Sequence, residues 1–146
     1  MPISLWAVLA GGLINLVAGK VLGLAALFLW LSMAQGVAPS DAAHPRQAEL
    51  LLSLRGQPGL AALQWAMGAL GSVLGGFAAA TLARREEVLN GTLAAWAILF
   101  LGVMPVLRGT GAIEHPVQLL AQLAVSLGFC ALGGWLRAQQ LERRVI

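Results

Sequence analysis

Leu5 to Ala34, LWAVLAGGLINLVAGKVLGLAALFLWLSMA, contains a single charge, Lys20. A helix rises about 1.5 Å per residue and crosses a hydrocarbon core of about 30 Å with about 20 apolar residues. This stretch is longer than that. Trp6 and Trp30 bracket it, roughly 36 Å apart along a helix. That separation suits two aromatic belts at the two membrane interfaces. Two short helices would need a turn at Gly19-Lys20, where there is no room for a loop. One tilted helix is therefore expected over 5–34, with Lys20 near its midpoint.

Three more apolar stretches follow, over 60–83, 88–107 and 116–136. The 146 residues are 59% hydrophobic and only 10% charged. A soluble domain carries about 25% charged residues. A water-facing globular domain, a disordered tail and a disulfide scaffold are all excluded by that balance. A lipid-exposed backbone must satisfy its hydrogen bonds within its own segment, so the stretches are helices. The expected fold is all-α: one integral membrane domain over 1–146, a polytopic four-helix transmembrane bundle embedded in the lipid bilayer.

The first connection is the longest. Ser40 and Asp41 offer capping oxygens and Pro45 suits a first helical turn, while Gly56 and Pro58 are stop signals. Between them Ala48, Leu51, Leu52 and Leu54 share one broad face. A short interfacial helix is expected over 45–55, lying in the membrane plane. The second connection is the tight turn Arg84-Arg85-Glu86-Glu87. The third, over 108–115, holds Gly109 and Gly111 before Pro116. The tail from Arg137 reads as a polar extension of the last helix.

The net charge of +3 is too small and too scattered for a nucleic-acid surface. It is better read as topology. Arg84, Arg85, Arg137, Arg143 and Arg144 fall on the side of the termini; Arg46, Arg55 and Arg108 fall on the other. The positive-inside rule then puts both termini in the cytoplasm. Lys20, the run from Val21 to Leu31 and Ser32-Met33-Ala34 mimic a cleavable signal, but the stretch before Lys20 is apolar and already helix-length. Retention of the segment is expected.

The second and fourth stretches echo each other. Leu70-Gly71 leads to Gly75-Gly76-Phe77, and Leu127-Gly128 leads to Gly133-Gly134-Trp135, with spacers differing by one residue. Gly75-Gly76-Phe77-Ala78-Ala79-Ala80, then Ala83-Arg84-Arg85, then Asn90-Gly91 lie within Leu74 to Trp96. That stretch resembles a hairpin-forming region of small bacterial four-helix integral membrane proteins, families mostly of unknown function. The resemblance covers about a sixth of the chain. It implies a four-span fold in a bacterial inner membrane and no particular activity.

Lys20 is the sharpest candidate for function. A lysine at the centre of a spanning helix costs about 2.5–3.5 kcal/mol on insertion scales and marks a functional position by default. No Asp or Glu lies in any of the four stretches. Its partners within the chain are therefore neutral: Asn15, Ser72, Thr81, Gln122, Ser126 or backbone carbonyls. Small residues that let helices approach closely recur at four-residue spacing: Gly19 and Gly23, then Gly71, Gly75 and Ala79, then Ala124 and Gly128. Cys130 is the one cysteine, read as a small packing residue. His44 and His115, with Asp41 and Glu114 nearby, read as loop residues, a weak metal signal.

No nucleophile elbow, zinc-protease motif, phosphate loop or intramembrane carboxylate pair occurs, so neither catalysis nor a cofactor is expected. Two functions remain. In the first, the chain is a structural or accessory subunit that packs on a membrane-protein partner through its small-residue faces and Lys20. In the second, it is a small transporter or channel, homo-oligomeric, with Lys20, Asn15, Gln64 and Gln122 along a polar path.

Overall fold

The computed structural model describes residues 3–35, 57–107 and 116–143, and among them every element is helical. The helices are α1 (Leu5–Gln35), α2 (Pro58–Ala83), α3 (Glu87–Leu93), α4 (Trp96–Leu107) and α5 (Pro116–Glu142). α1 is one uninterrupted helix through Lys20, and α5 carries its polar tail as far as Glu142. Three helices, within α1, α2 and α5, are long and apolar enough to cross a membrane. The interfacial helix expected over 45–55 lies outside the described residues.

Side-chain size is sorted opposite to the habit of a soluble protein. The buried apolar positions are mostly alanines, among them Ala7, Ala79, Ala80, Ala94 and Ala95. Leu5, Leu13, Val17, Val21 and Phe28 of α1 are exposed. Lipid tails are as apolar as leucine, so burying leucine gains little in a membrane. Close backbone packing of small residues holds such helices together instead.

Two glycine seams build the bundle. α1 and α2 run antiparallel, with Gly11 facing Ala79, Asn15 facing Gly75 and Gly19 facing Gly71. Each step is one four-residue turn on both helices, so the seam stays straight. The second seam joins α2 to α5. A Cβ placed on Gly76 would strike the Cys130 backbone, and one on Gly133 would strike the carbonyl oxygen of Val73. Gly91 of α3 sits over this crossing, against Gly134 and Gly76. One glycine of each echoing pair, Gly76 and Gly133, thus marks where the two helices meet, while Gly75 packs on α1 and Gly134 on α3, and both expected packing glycines of α2 lie in the α1 seam.

The third apolar stretch departs from expectation. It is not one helix over 88–107 but two, α3 and α4, separated at Ala94 and Ala95. The N–H groups of Ala94, Ala95 and Ile98 bond three residues back, to Gly91, Thr92 and Ala95 at 3.1, 3.1 and 3.0 Å. This is the tighter 3₁₀ pattern. Anchors on both sides explain the break. Gly91 is held at the glycine crossing, while Trp96 donates its indole N–H to the Val8 carbonyl at 3.1 Å and lies over Gly12. Phe100 meets the Trp96 ring edge-on, with centroids 5.7 Å apart. Ala94 and Ala95 are fully buried between these anchors. Hydropathy carries no trace of a break that tertiary contacts impose.

The turn between α2 and α3 uses left-handed backbone at Arg84 (φ 54°) and Glu86 (φ 45°). Asn90 stabilises it. Its fully buried amide donates to the Arg85 and Glu86 carbonyls at 2.9 and 3.1 Å and accepts from the Ser4 N–H at 2.9 Å. One side chain therefore ties the turn to the start of α1. Asn90→Ala takes the side-chain partner from the Ser4 N–H and the Arg85 carbonyl, while the Glu86 carbonyl keeps the Asn90 backbone N–H, and it is expected to destabilise the protein by about 1–3 kcal/mol. Thermal unfolding in a mild detergent measures this, and a midpoint equal to wild type contradicts the role given to Asn90.

Candidate functional site

At mid-length the α1–α2 seam gives way to a polar cluster. Asn15, Ser72 and Ser126 are each at least 96% buried, and Cys130 is fully buried. Asn15 sits on the seam because Gly75 opposite has no side chain to displace it. The Ser72 hydroxyl donates to the Asn15 amide oxygen at 3.3 Å, and the Asn15 amide donates to Ser126 Oγ at 3.4 Å. The two serine hydroxyls lie 3.0 Å apart. The Cys130 thiol donates to the Ser72 carbonyl at 3.2 Å. Three helices are joined here with no net charge.

Above this floor the helices part and border a half-open cavity of about 580 Å³. Asn15, Lys20, Gln64 and Gln122 all line it, although they lie on three different helices. Leu16, Leu24, Leu27, Trp65, Ile98 and Val125 supply apolar wall. Gly19, Gly23 and Gly68 also border it, and a Cβ on any of the three would meet nothing within 4 Å. Farther along, α1 and α2 close again, where Trp30 covers Gly59 and donates its indole N–H to Gln57 Oε1 at 2.9 Å. The cavity is therefore a gap in a seam that is tight on both sides of it.

Lys20 is exposed at the cavity, and no hydrogen bond or ion pair joins it to any described residue. The neutral partners expected for it are otherwise engaged or apart. Ser72 and Ser126 bond Asn15 and each other, and Thr81 bonds the Phe77 carbonyl of its own helix at 2.8 Å. Gln64 is exposed and Gln122 half-buried on the cavity wall. The small-residue positions divide. Gly71, Gly75 and Ala79 form the seam with α1, and Gly19 offers its backbone to Gly71. Ala124 and Gly128 are on the exposed side of α5, and a Cβ on Gly128 would meet nothing within 4 Å. Gly133 and Gly134 make the contacts of α5 instead. His44, Asp41, Glu114 and His115 lie outside the described residues.

Sequence reasoning missed Gly11, Trp65 and the serine floor. Gly11 was legible, since Gly11, Asn15, Gly19 and Gly23 repeat every four residues on one face. The floor was not, because nothing in the sequence pairs Ser72 with Ser126. Interhelical hydrogen bonds in membranes contribute about 0.6 kcal/mol on average and at most about 1.7 kcal/mol. Ser72→Ala is expected to fall in that range. A double-mutant cycle with Ser126→Ala, read by denaturant titration, should give less than additive loss; strict additivity would mean the two hydroxyls are uncoupled.

No protein-family model, no curated protein and no solved structure matches this chain. Its function rests on the geometry of its own residues.

Proposed function

We propose that this chain is a small membrane carrier that holds an anionic ligand at Lys20. The observation behind this reading is the convergence of Lys20, Gln64, Gln122 and Asn15 on one cavity. Small-molecule sites have volumes of about 300–1,000 Å³, with mostly apolar walls and a few convergent polar groups. This cavity has that size and that lining. Its cation has no partner among the described residues, and no acidic residue lies in any apolar stretch of the sequence. A bound ligand is read as the source of the counter-charge. The tight packing of Gly11, Gly75, Gly76 and Gly133 fills the level below the floor. This favours a carrier over an open channel.

The bundle is read as four spans in a bacterial inner membrane, with α3 and α4 together forming the third. The termini and the Arg84-Arg85 turn face the cytoplasm, by the excess of arginine on that side. The resemblance of Leu74 to Trp96 to small bacterial four-helix membrane proteins agrees with this placement.

A second reading keeps the same residues. Lys20 beside the open Gly19, Gly23 and Gly68 also suits a partner helix carrying an acidic side chain, with the chain acting as an accessory subunit. One experiment separates the two. Protein extracted in mild detergent is analysed by mass spectrometry for small molecules and for proteins, beside Lys20→Leu. An organic anion present with wild type and lost from Lys20→Leu is the expected result. A membrane protein lost in its place supports the subunit reading and overturns the carrier.

A further inference from the structure

We infer that the ligand of the Lys20 cavity is a single-chain anionic amphiphile, an acid head group on an alkyl chain, taken up from the lipid phase. The inference rests on the carrier reading and adds the class of ligand and its route of entry.

The head group follows from the polar set. Lys20 supplies an ammonium with three donors, and Gln64 and Gln122 each supply an amide with two N–H donors. The hydroxyls of the floor are largely committed to Asn15 and to each other. Set against the two amide oxygens of Gln64 and Gln122, the N–H donors are in excess, and together with the cation they suit a carboxylate or a phosphate monoester. A neutral alcohol or a cation gains little there.

The chain follows from the walls. Leu24, Leu27, Trp65, Ile98 and Val125 give an apolar surface next to the donors. A small water-borne anion would leave that surface uncovered, whereas an alkyl chain covers it. The volume of about 580 Å³ is that of a drug-sized molecule. It accommodates one alkyl chain.

The route follows from exposure. Lys20, at the midpoint of α1, is exposed at the cavity together with Leu24, Trp65 and Val125, and most other exposed residues of these three helices are apolar. At that depth the surroundings are lipid. An amphiphile enters sideways, with its chain already in hydrocarbon, and the head group descends to the ammonium.

Trp65 on the cavity wall provides the reporter. Full-length protein in nanodiscs of phosphatidylcholine is titrated with ω-bromododecanoate, whose bromine quenches a nearby indole, and with ω-bromododecanol as the neutral match. Saturable quenching by the acid is expected, with the alcohol needing about tenfold more or failing to saturate. Lys20→Gln should shift the acid titration by about tenfold or more, Lys20→Arg should stay near wild type, and Trp65→Phe should lose the saturable amplitude. Equal titration by acid and alcohol, an unshifted Lys20→Gln, or full amplitude in Trp65→Phe overturns the inference. Isothermal titration with acetate and with inorganic phosphate forms the second arm. If these bind in a Lys20-dependent way and the bromo acid does not, the amphiphile is wrong and the carrier reading stands. If neither bromo acid nor small anion binds, both fall.

Discussion

The Gly133→Leu protein is expected not to fold. A side chain at Gly133 would be built into the carbonyl oxygen of Val73 and would press on the Phe77 N–H. Both are backbone atoms in the middle of α2, and neither has a rotamer to change. Overpacking a core against movable side chains costs about 1–3 kcal/mol. Here two helices must separate, and the separation also pulls Gly76 from Cys130 and Gly91 from Gly134. Against a total stability of about 5–15 kcal/mol that loss is decisive. Size-exclusion chromatography of the detergent-solubilised variant should show aggregate or no protein. Gly128→Leu is the control, because the space beyond Gly128 is open, and it should elute as wild type does. A monodisperse Gly133→Leu would mean that α2 and α5 are not in backbone contact.

Gly68→Leu has an effect of similar size on binding and little on folding. Gly68 lines the cavity, and a Cβ there meets nothing within 4 Å. The leucine side chain extends into the space reserved for the ligand. Replacing glycine within a helix also adds about 0.5–1 kcal/mol of stability through reduced backbone freedom. The variant should therefore elute normally, unfold at or above the wild-type temperature, and bind the anion at least about tenfold more weakly. Gly23→Leu, from the facing helix, should behave alike. Normal binding in both would move the ligand out of this cavity.

These contrasts show what one sequence can and cannot reveal about such a protein. The reach of α1 was legible, because charge is absent from both sides of Lys20 and tryptophans stand near its ends. The polar residues of the cavity were legible one by one, since each is costly in lipid and must be there for a reason. Their meeting in one place was not, because it depends on the register of α1 on α2 and of α2 on α5. Glycine content alone did not fix that register. Gly71 and Gly75 lie in a seam and Gly128 does not, though all three sit in similar strings. The difference comes from helix rotation. α5 turns Gly133 and Gly134 inward, which carries Ala124 and Gly128 to the outside. The break at Ala94 and Ala95 was hidden for a related reason. It is imposed by Trp96 and Gly91 gripping α1 and α5, while the residues at the break itself, Leu93 to Ala97, are all apolar.

The placement of charge also alters the meaning of the low overall charge. The arginines and acids occur at or beyond the ends of the apolar stretches, while Lys20 alone lies within one. In the structure it stands at a level where the α1–α2 seam opens. An ammonium with no partner among the described residues and an opened seam at the same level have a common explanation in a ligand that occupies both.

An experimental density map of the protein extracted together with its native lipids tests this most directly. The account predicts density for a bound molecule in the cavity, with an oxygen-bearing end within about 3 Å of Lys20 Nζ and its body along Leu24, Leu27 and Trp65. A carboxylate of the chain itself, or of a neighbouring protein, paired with Lys20 in an otherwise empty cavity would contradict it.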